Sequence, residues 1–307
     1  MLTNALAAVA GRPRTAALLG AACIAFSGIF FRFSGESPST ATVFRCLYAL
    51  PFLFLLARQE DLREGARPPR ERWLAAGAGV FFAFDLLAYH HAVEQVGAGL
   101  GTVLPNLQVV FVAIAAWIIW RERPSGQVLL ALPLAMAGAI LISGVFERAP
   151  YGQNPPLGVA FGLIAAISYG AFLLVIRQGN RSGERSFGTL LDASAMTVLV
   201  GLIAGFIVGD LDLRPTLPAH AWLLLLAVTS QVAGYGFINI SLPRLPAMLT
   251  SVLLLAQPVA TMILSAILLG ESPSPGQLLG VAALISGLAV ASLPLGRVRD
   301  RLRTATE

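Results

Sequence analysis

The sequence has no lysine and little charge of either sign. All 21 of its basic residues are arginine, and with 16 acidic residues the charged fraction is only 12%. A water-soluble domain carries about 25% charged residues, so the composition excludes an ordinary soluble enzyme. With 56% hydrophobic residues and a mean hydropathy of +0.76, the chain is typical of a membrane protein.

Cysteine is also scarce, and the motifs of common enzymes are missing. Cys23 and Cys46 lie in apolar stretches without CxxC or Cys/His spacing, so we interpret them as small packing residues. The sequence therefore predicts no disulfide, no metal site and no cofactor. It contains no GxxxxGK[ST] loop for ATP and no GxSxG or HExxH motif. The alternative from another class is an intramembrane enzyme that uses Asp85 and a histidine as acid and base.

Long apolar runs follow one another along the chain. Windows of roughly 19 residues predict ten transmembrane helices, at residues 15–33, 40–57, 73–93, 99–119, 126–145, 157–178, 187–208, 220–240, 247–269 and 276–294. The first run follows Arg12 and Arg14 but has no A-x-A-like cleavage site, so we expect it to be retained as a helix. The predicted fold class is an all-α integral membrane protein.

The arginines indicate an orientation in the membrane. If the N-terminus is cytoplasmic, 17 arginines fall in cytoplasmic segments, only Arg148 and Arg214 fall on the other face, and Arg32 and Arg45 lie within spans. The positive-inside rule then predicts both termini in the cytoplasm, and we expect a bacterial inner membrane. The net charge of +5 fits anionic lipid headgroups, and no basic patch with interleaved aromatic residues indicates nucleic acid.

The second half of the chain repeats the first. At a shift of 149 residues the following pairs coincide: Gln108 with Gln257, Glu122 with Glu271, Pro124 with Pro273, Ser125 with Ser274, and Gly138 with Gly287. The predicted repeats are residues 1–147 and 157–296, followed by a basic cytoplasmic tail at 297–307. Because five helices is an odd number, the second copy enters the membrane from the opposite side. Such inverted repeats are the physical basis of alternating access in transporters.

The end of each repeat resembles a known family. The stretch "LLLAQPVATMILSAILLGESPSPGQLLGVAALISGLAV" resembles the EamA-type domain of the drug/metabolite transporter superfamily, and the first half matches it more loosely. The resemblance implies two tandem five-helix domains that cover essentially the whole chain. The length and layout are similar to those of bacterial exporters of amino acids, including aromatic ones. The resemblance also implies a cavity lined by the first, third, fourth, sixth, eighth and ninth helices, which adds Ser27 and Tyr169 as candidates.

Polar residues inside the predicted spans are further candidates. A charge at bilayer depth costs about 2.5 to 3.5 kcal/mol, so such residues usually face a bundle interior or a wet cavity. Gln231, Tyr235 and Asn239 recur every fourth residue and share one helix face. The shift of 149 gives His90 as the counterpart of Asn239, so we expect these two to approach each other.

Asp85 and Tyr89 lie one turn apart in the third span, at a depth similar to that of Arg45 in the second. An ion pair between Arg45 and Asp85 is therefore predicted. It is either a fixed bridge between helices or a charge that engages substrate or proton.

Amide side chains complete the candidate site. Gln108 and Gln257 are symmetry mates near the middle of the fourth and ninth spans, and Asn106 neighbours the first of them. An amide both donates and accepts hydrogen bonds, which suits a zwitterionic ligand. Glu122 and Glu271 precede Pro-Ser turns, so we interpret both as turn or capping residues of the helix that follows.

These observations predict a secondary transporter that exports small metabolites across the inner membrane by alternating access. Amino acids, including aromatic and hydrophobic ones, are the expected substrates, because the candidate site combines tyrosines with amides. Purines, sugars and drugs stay open as alternatives, as does a channel. The expected partners are the lipid bilayer and a small-molecule substrate, with protons as one candidate coupling ion. The sequence leaves the oligomeric state open.

Overall fold

The computed structural model describes residues 11–108, 110–111, 115, 126–142, 146–147, 151–180, 185–245, 253–254 and 256–292. Within these residues all regular secondary structure is helical. We number the helices α1 (Pro13–Ser34), α2 (Pro38–Glu64), α3 (Pro69–Leu107), α4 (Gly126–Ile142), α5 (Pro155–Gly179), α6 (Ser186–Val208), α7 (Ala219–Ser241), α8 (Ala256–Leu268) and α9 (Pro275–Ser292).

Six of these helices, α1, α2, α3, α5, α6 and α7, are long and apolar enough to cross a membrane. The chain is therefore a multi-pass membrane protein, as its composition predicts. Proline occupies the first turn of α1, α2, α3 and α5, where its missing N–H costs no hydrogen bond. The predicted spans 99–119 and 247–269 are described only in part, because most of residues 109–125 and 246–252 lie outside the described ranges.

Three of the helices are interrupted near their middle or end. The α1 helix breaks at Phe26 into Pro13–Ala25 and Ser27–Ser34. The α3 helix changes direction at Gly97, whose φ of 87° suits only glycine well. The residues before this break form the third predicted span, and those after it begin the fourth. In α7 the central segment Ala227–Gly234 is a π-helix. Local π-helix often marks a functional site, and here each broken helix supplies cavity residues close to its break.

The α2 and α6 helices pack antiparallel and cap each other. Glu60, near the end of α2, accepts hydrogen bonds from the backbone N–H groups of Phe187 (3.0 Å) and Gly188 (2.8 Å) at the start of α6. Asp210, just after α6, accepts one from the N–H of Ser39 at the start of α2 (3.3 Å). The donors Ser39 and Gly188 are separated by the same 149 residues as the sequence repeat. The two contacts are therefore counterparts across an axis that inverts one half relative to the other.

The α4 and α9 helices form a second antiparallel pair. A Cβ atom at Gly138 would come 2.7 Å from the carbonyl oxygen of Gly280, and one at Gly280 would come 2.7 Å from that of Gly138. Only glycine permits this approach of two backbones. Gln277, at the start of α9, donates from Nε2 to the carbonyl oxygen of Ile142 at the end of α4 (3.2 Å). The end of one helix thus lies beside the start of its counterpart.

The remaining contacts interleave the halves. The α1 helix packs on α7, where a Cβ at Gly20 would come 2.9 Å from the carbonyl oxygen of Gly234. In the counterpart pair of helices, α5 packs on α3, where Phe172 stacks on Phe82 with ring centroids 4.3 Å apart. Gly162 of α5 lies against Leu104 at the end of α3. Gly20 and Gly162 are packing residues here, because a glycine lets two helices approach closely. Because each half supplies helices to both pairs, the centre of the molecule is enclosed by elements of both repeats.

Candidate functional site

A cavity lies between the two halves, where the broken helices meet. Its polar lining consists of Ser27, Arg45, Asp85, Tyr89, Thr102, Asn106, Tyr169, Tyr235 and Gln257, which come from both repeats. The volume open to water-sized molecules is about 30 Å³, which accommodates a few waters but not a metabolite. Its walls must therefore move apart to admit a larger molecule.

Arg45 lies at this cavity, and its hydrogen-bond partners among the described residues are neutral. Its side chain is 1% exposed, its Nε donates to Oε1 of Gln231 (3.0 Å), and its Nη1 donates to Oγ of Ser27 (2.9 Å). The third nitrogen, Nη2, is buried and has no hydrogen-bond partner in the described part of the chain. The guanidinium carbon lies 5.6 Å from the centre of the Tyr235 ring, within the range of a cation–π contact. One edge of the guanidinium is thus left without an acceptor.

Asp85 lines the same cavity but does not pair directly with Arg45. The carboxylate is 4% exposed, and among the described residues it has neither a hydrogen bond nor an ion pair within 4.0 Å. The structure thus brings the two predicted charges to one cavity without the direct bridge that the sequence predicts between them. The reason is geometric, since Gln231 and Ser27 hold the guanidinium of Arg45 in place.

Tyr89 is fixed at the cavity by the start of the fourth span. The hydroxyl of Thr102 donates to the carbonyl oxygen of Ala98 (2.8 Å), so the Tyr89 hydroxyl, 3.1 Å from Oγ1 of Thr102, is the donor of that pair. Asn106 donates to the carbonyl oxygen of Thr102 (2.9 Å). A Cβ at Gly28 would come 2.9 Å from the Tyr89 hydroxyl, which explains the glycine there. Thr102 belongs to the site, and sequence reasoning missed it.

Tyrosine rings form another wall of the cavity. The ring of Tyr235 meets the rings of Phe82 (4.8 Å between centroids) and Tyr169 (6.4 Å) edge to face, and Phe82 stacks on Phe172 at 4.3 Å. The hydroxyls of Tyr169 and Tyr235 hydrogen-bond no described residue, although both side chains line the cavity. This wall combines apolar ring surface with two available hydroxyls, an arrangement that suits an amphiphilic ligand.

Four predicted site residues do not line the cavity: Gln108, Gln231, His90 and Asn239. Gln231 is fully buried behind Arg45 and donates from Nε2 to Oγ of Ser194 (2.9 Å), so it supports the lining without belonging to it. Gln108 is buried but does not line the cavity. The π-helix explains the departure of Gln231, because it widens the turn and rotates this residue relative to Tyr235.

The predicted approach of His90 and Asn239 does not occur. His90 pairs with Oγ1 of Thr42 (2.8 Å), near the start of α2. Asn239 donates to Oγ1 of Thr189 (2.8 Å), near the start of α6. Glu60, near the end of α2, contacts the start of α6, so the His90 and Asn239 sites lie near opposite ends of α2. Thr42 and Glu60 are about 18 residues apart, which is about 27 Å along the helix. An axis in the membrane plane relates the two halves, so it places counterpart residues toward opposite sides of the membrane unless they lie close to the axis. His90 and Asn239 do not lie close to it.

Glu271 does act as a cap, but on another helix than the sequence predicts. Its carboxylate accepts hydrogen bonds from the backbone N–H groups of Ala98 (2.6 Å) and Gly99 (2.9 Å), directly after the break at Gly97. The favourable place for a carboxylate is a helix N-terminus, and here that terminus belongs to the other half. Beside it, burial raises the pKa of Tyr151, and the charge of Glu271 raises it further. The counterpart Glu122 lies outside the described residues.

A larger groove of about 510 Å³ opens near the start of α3, between Trp73 on α3 and Leu199 on α6. Its charged residues are already paired, since Nη1 of Arg67 lies 2.6 Å from a carboxylate oxygen of Asp192. Trp73 is 74% exposed and Leu199 is 52% exposed. The groove is larger than the central cavity but lies on the outer surface, whereas the smaller cavity holds unpaired charges. Among the described residues, no cluster of His, Cys, Asp and Glu could hold a metal ion.

Comparison with known proteins agrees with this architecture. The model of the EamA-like transporter family matches the chain twice, at residues 14–144 and 156–293. An uncharacterized protein of Pseudomonas aeruginosa is 32% identical over 237 residues, which cover 76% of this chain and 78% of that protein. An uncharacterized transporter of Bacillus subtilis is 23% identical over 91% of this chain and 93% of its own.

One relative has a name that states a substrate class. It is a protein of Salmonella typhimurium called a probable amino-acid metabolite efflux pump, 23% identical over 80% of this chain and 81% of its own. A solved crystal structure has the same fold, with a TM-score of 0.60 and 17% identity, covering 92% of this chain and 98% of that chain.

Proposed function

We propose, since the chain belongs to the EamA-like transporter family, that it is a secondary transporter that exports amino acids, including aromatic and hydrophobic ones, by alternating access. A membrane transporter of this family has a small-molecule substrate, and the choice of amino acids is the proposal. The main support is the central cavity, which both repeats line with charged groups, hydroxyls and aromatic rings. Such a combination suits a small molecule with both polar and apolar parts.

The architecture supports the mechanism. Because the halves are inverted counterparts that enclose one cavity, an exchange of conformation between them opens the same site to either side of the membrane. The present volume of about 30 Å³ is too small for an amino acid, so transport requires the walls to separate. The two charges in the lining, Arg45 and Asp85, give the cavity groups that a moving substrate or a coupled proton can engage.

The proposal also includes a place and an orientation. The arginine distribution favours a bacterial inner membrane with both termini in the cytoplasm. One distant relative is named as an amino-acid metabolite efflux pump, which supports export of that substrate class. Proton coupling is the form of energy supply that the buried Asp85 favours.

Reconstitution tests this proposal. The purified full chain in liposomes, offered labelled phenylalanine, leucine, a purine and a sugar with and without a pH gradient, should move at least one amino acid saturably and show counterflow. A dependence on the imposed gradient would support proton coupling. Movement of only the purine or the sugar would contradict the substrate class, and movement of none would contradict the transport function itself. Chemical conversion of a substrate in detergent would indicate an enzyme instead.

A further inference from the structure

Arg45 carries its charge in the membrane without a direct carboxylate partner among the residues that the structure describes. A fixed bridge between helices would place a carboxylate within 4.0 Å of the guanidinium, because an isolated buried charge is costly. Its acceptors are instead the neutral oxygens of Gln231 and Ser27. Neutral acceptors orient a guanidinium without cancelling its charge. The full positive charge of Arg45 is therefore available to a molecule in the cavity.

The orientation of this guanidinium is determined by a chain of hydrogen bonds across four helices. Ser194 of α6 accepts from Gln231 of α7 at 2.9 Å, Gln231 accepts from Arg45 of α2, and Arg45 donates to Ser27 of α1. These contacts use Nε and Nη1, and both N–H groups of Nη2 have no partner within the described ranges. A planar guanidinium held in this way presents its remaining donors in one direction, the geometry that suits a carboxylate.

Asp85 supplies the opposite charge at the same cavity. Its carboxylate is buried and has no partner among the described residues, so it can accept hydrogen bonds from an ammonium group. The rings of Tyr169 and Tyr235 line the cavity beside it, and ring faces attract cations as well as apolar groups. The cavity thus offers a cationic hydrogen-bond donor, Nη2 of Arg45, an anionic acceptor, the carboxylate of Asp85, and aromatic surface.

We propose that Arg45 and Asp85 recognise the two charges of a zwitterionic substrate. Nη2 of Arg45 donates to the substrate carboxylate, and Asp85 accepts from its ammonium group. The inference rests on the proposed function, because it concerns the same cavity, and it names the substrate class by charge: an α-amino acid whose side chain contacts the tyrosine rings. Gln231 and Ser27 are positioning residues that act through Arg45.

Competition with analogues that lack one charge tests the assignment. Liposomes containing the full chain take up labelled phenylalanine in the presence of unlabelled phenylalanine, phenylalaninamide or 3-phenylpropionate. The amide has no carboxylate, and the propionate has no ammonium group. In the wild type each analogue should compete at least about tenfold more weakly than phenylalanine, because removal of a charged hydrogen-bond partner leaves a buried group unpaired.

Variants then assign each charge to one residue. Arg45→Gln should abolish most of the discrimination against the amide while retaining that against the propionate, and Asp85→Asn should do the reverse. The ratio of inhibition constants does not depend on how much protein folds, so a purely structural role would lower uptake without changing it. Arg67→Gln is the matched control. It removes another buried arginine that lies outside the cavity and pairs with Asp192, and it should leave both ratios unchanged.

The outcomes separate this inference from the proposed function. If phenylalanine or leucine is transported but the two analogues that lack one charge compete as well as the zwitterion, the two-charge recognition is wrong and the transport function stands. The same holds if Arg45→Gln and Asp85→Asn change both ratios equally. If only purines or sugars are transported, both the amino acid class and the charge recognition fail.

Discussion

At the scale of single residues, the surroundings of one arginine determine the chemistry of the cavity. Arg45 is held by Gln231 and Ser27, neither of which carries charge. Gln231 does not line the cavity, yet it lies in contact with the group that does. Its amide is suited to this task because it accepts from Arg45 through Oε1 and donates to Ser194 through Nε2.

Gln231→Glu should therefore weaken substrate binding without touching the cavity wall. The new carboxylate would lie about as close to Nε as the present amide oxygen, 3.0 Å away, and would neutralise the charge of Arg45. We expect the apparent KM for the transported amino acid to rise about tenfold or more, as for a buried charged contact. Gln231→Ala should have a smaller effect, since it removes orientation but leaves the charge. Initial uptake rates over a range of substrate concentrations measure both.

The matched control is Gln277→Ala, which changes a buried glutamine that bonds the backbone near the end of α4. It should alter thermal stability more than KM. A wild-type KM for Gln231→Glu would show that the charge of Arg45 does not take part in binding.

At the scale of helices, breaks and caps decide where the site lies. The direction of α3 changes at Gly97, and the N–H groups of Ala98 and Gly99, which lose their partners within the helix at this break, donate to Glu271 from the other half. This cap fixes the segment that carries Thr102 and Asn106 at the cavity. A side chain at Gly97 would be strained by the φ of 87° and would also meet the Glu271 carboxylate. The break, the cap and two lining residues are therefore one structural unit.

Glu271→Ala should destabilise the protein by about 1 to 3 kcal/mol, the cost of leaving buried N–H groups without an acceptor. Glu271→Gln should have a smaller effect, because its amide oxygen retains one of the two contacts. The midpoint temperature of unfolding in detergent measures the difference. Glu94→Ala is the control, since that side chain is 43% exposed and a surface change of this kind costs at most about 0.5 kcal/mol. Equal midpoints for Glu271→Ala and Glu94→Ala would contradict the role of the cap.

At the scale of the whole molecule, the two halves are interleaved rather than side by side. The caps between α2 and α6 are reciprocal across one axis, and α4 and α9, the last helices of the two halves, run antiparallel and meet at Gly138 and Gly280. Antiparallel counterparts with matching ends can occur only if one repeat is inverted. The inverted arrangement predicts that residues separated by 149 positions face opposite sides of the membrane.

Cysteine labelling tests this arrangement directly. Arg63, near the end of α2, and Asp212, after α6, are separated by 149 residues and are both exposed. In a background with Cys23 and Cys46 replaced by alanine, Asp212→Cys should react with a membrane-impermeant maleimide in intact cells. Arg63→Cys should react only after the membrane is permeabilised. Labelling of both from the same side would contradict the inverted topology.

Much of the site could be predicted from single residues. The candidates chosen as polar groups within spans that line the cavity are Asp85, Tyr89, Asn106, Tyr235 and Gln257, because such a group faces the bundle interior for reasons of solvation. Ser27 and Tyr169, which the family resemblance implies, line it as well. Thr102 was missed since threonine is common in membrane helices and its sequence position carries no signal. The sequence predicts that His90 and Asn239 approach each other because they coincide at the shift of 149, whereas the in-plane axis keeps them about 27 Å apart.

The sequence alone determined that the chain spans a membrane, that it is helical and that it consists of two related repeats, because hydropathy and periodicity are local properties. Only the tertiary structure decided which helix Glu271 caps and which groups hold Arg45. It also decided that Arg45 and Asp85 share a cavity without bonding each other. The contacts of Glu271 with Ala98 and of Arg45 with Gln231 join residues 173 and 186 positions apart. The relations of Arg45 to Ser27 and Asp85 join different helices, and packing sets such geometry rather than local pattern.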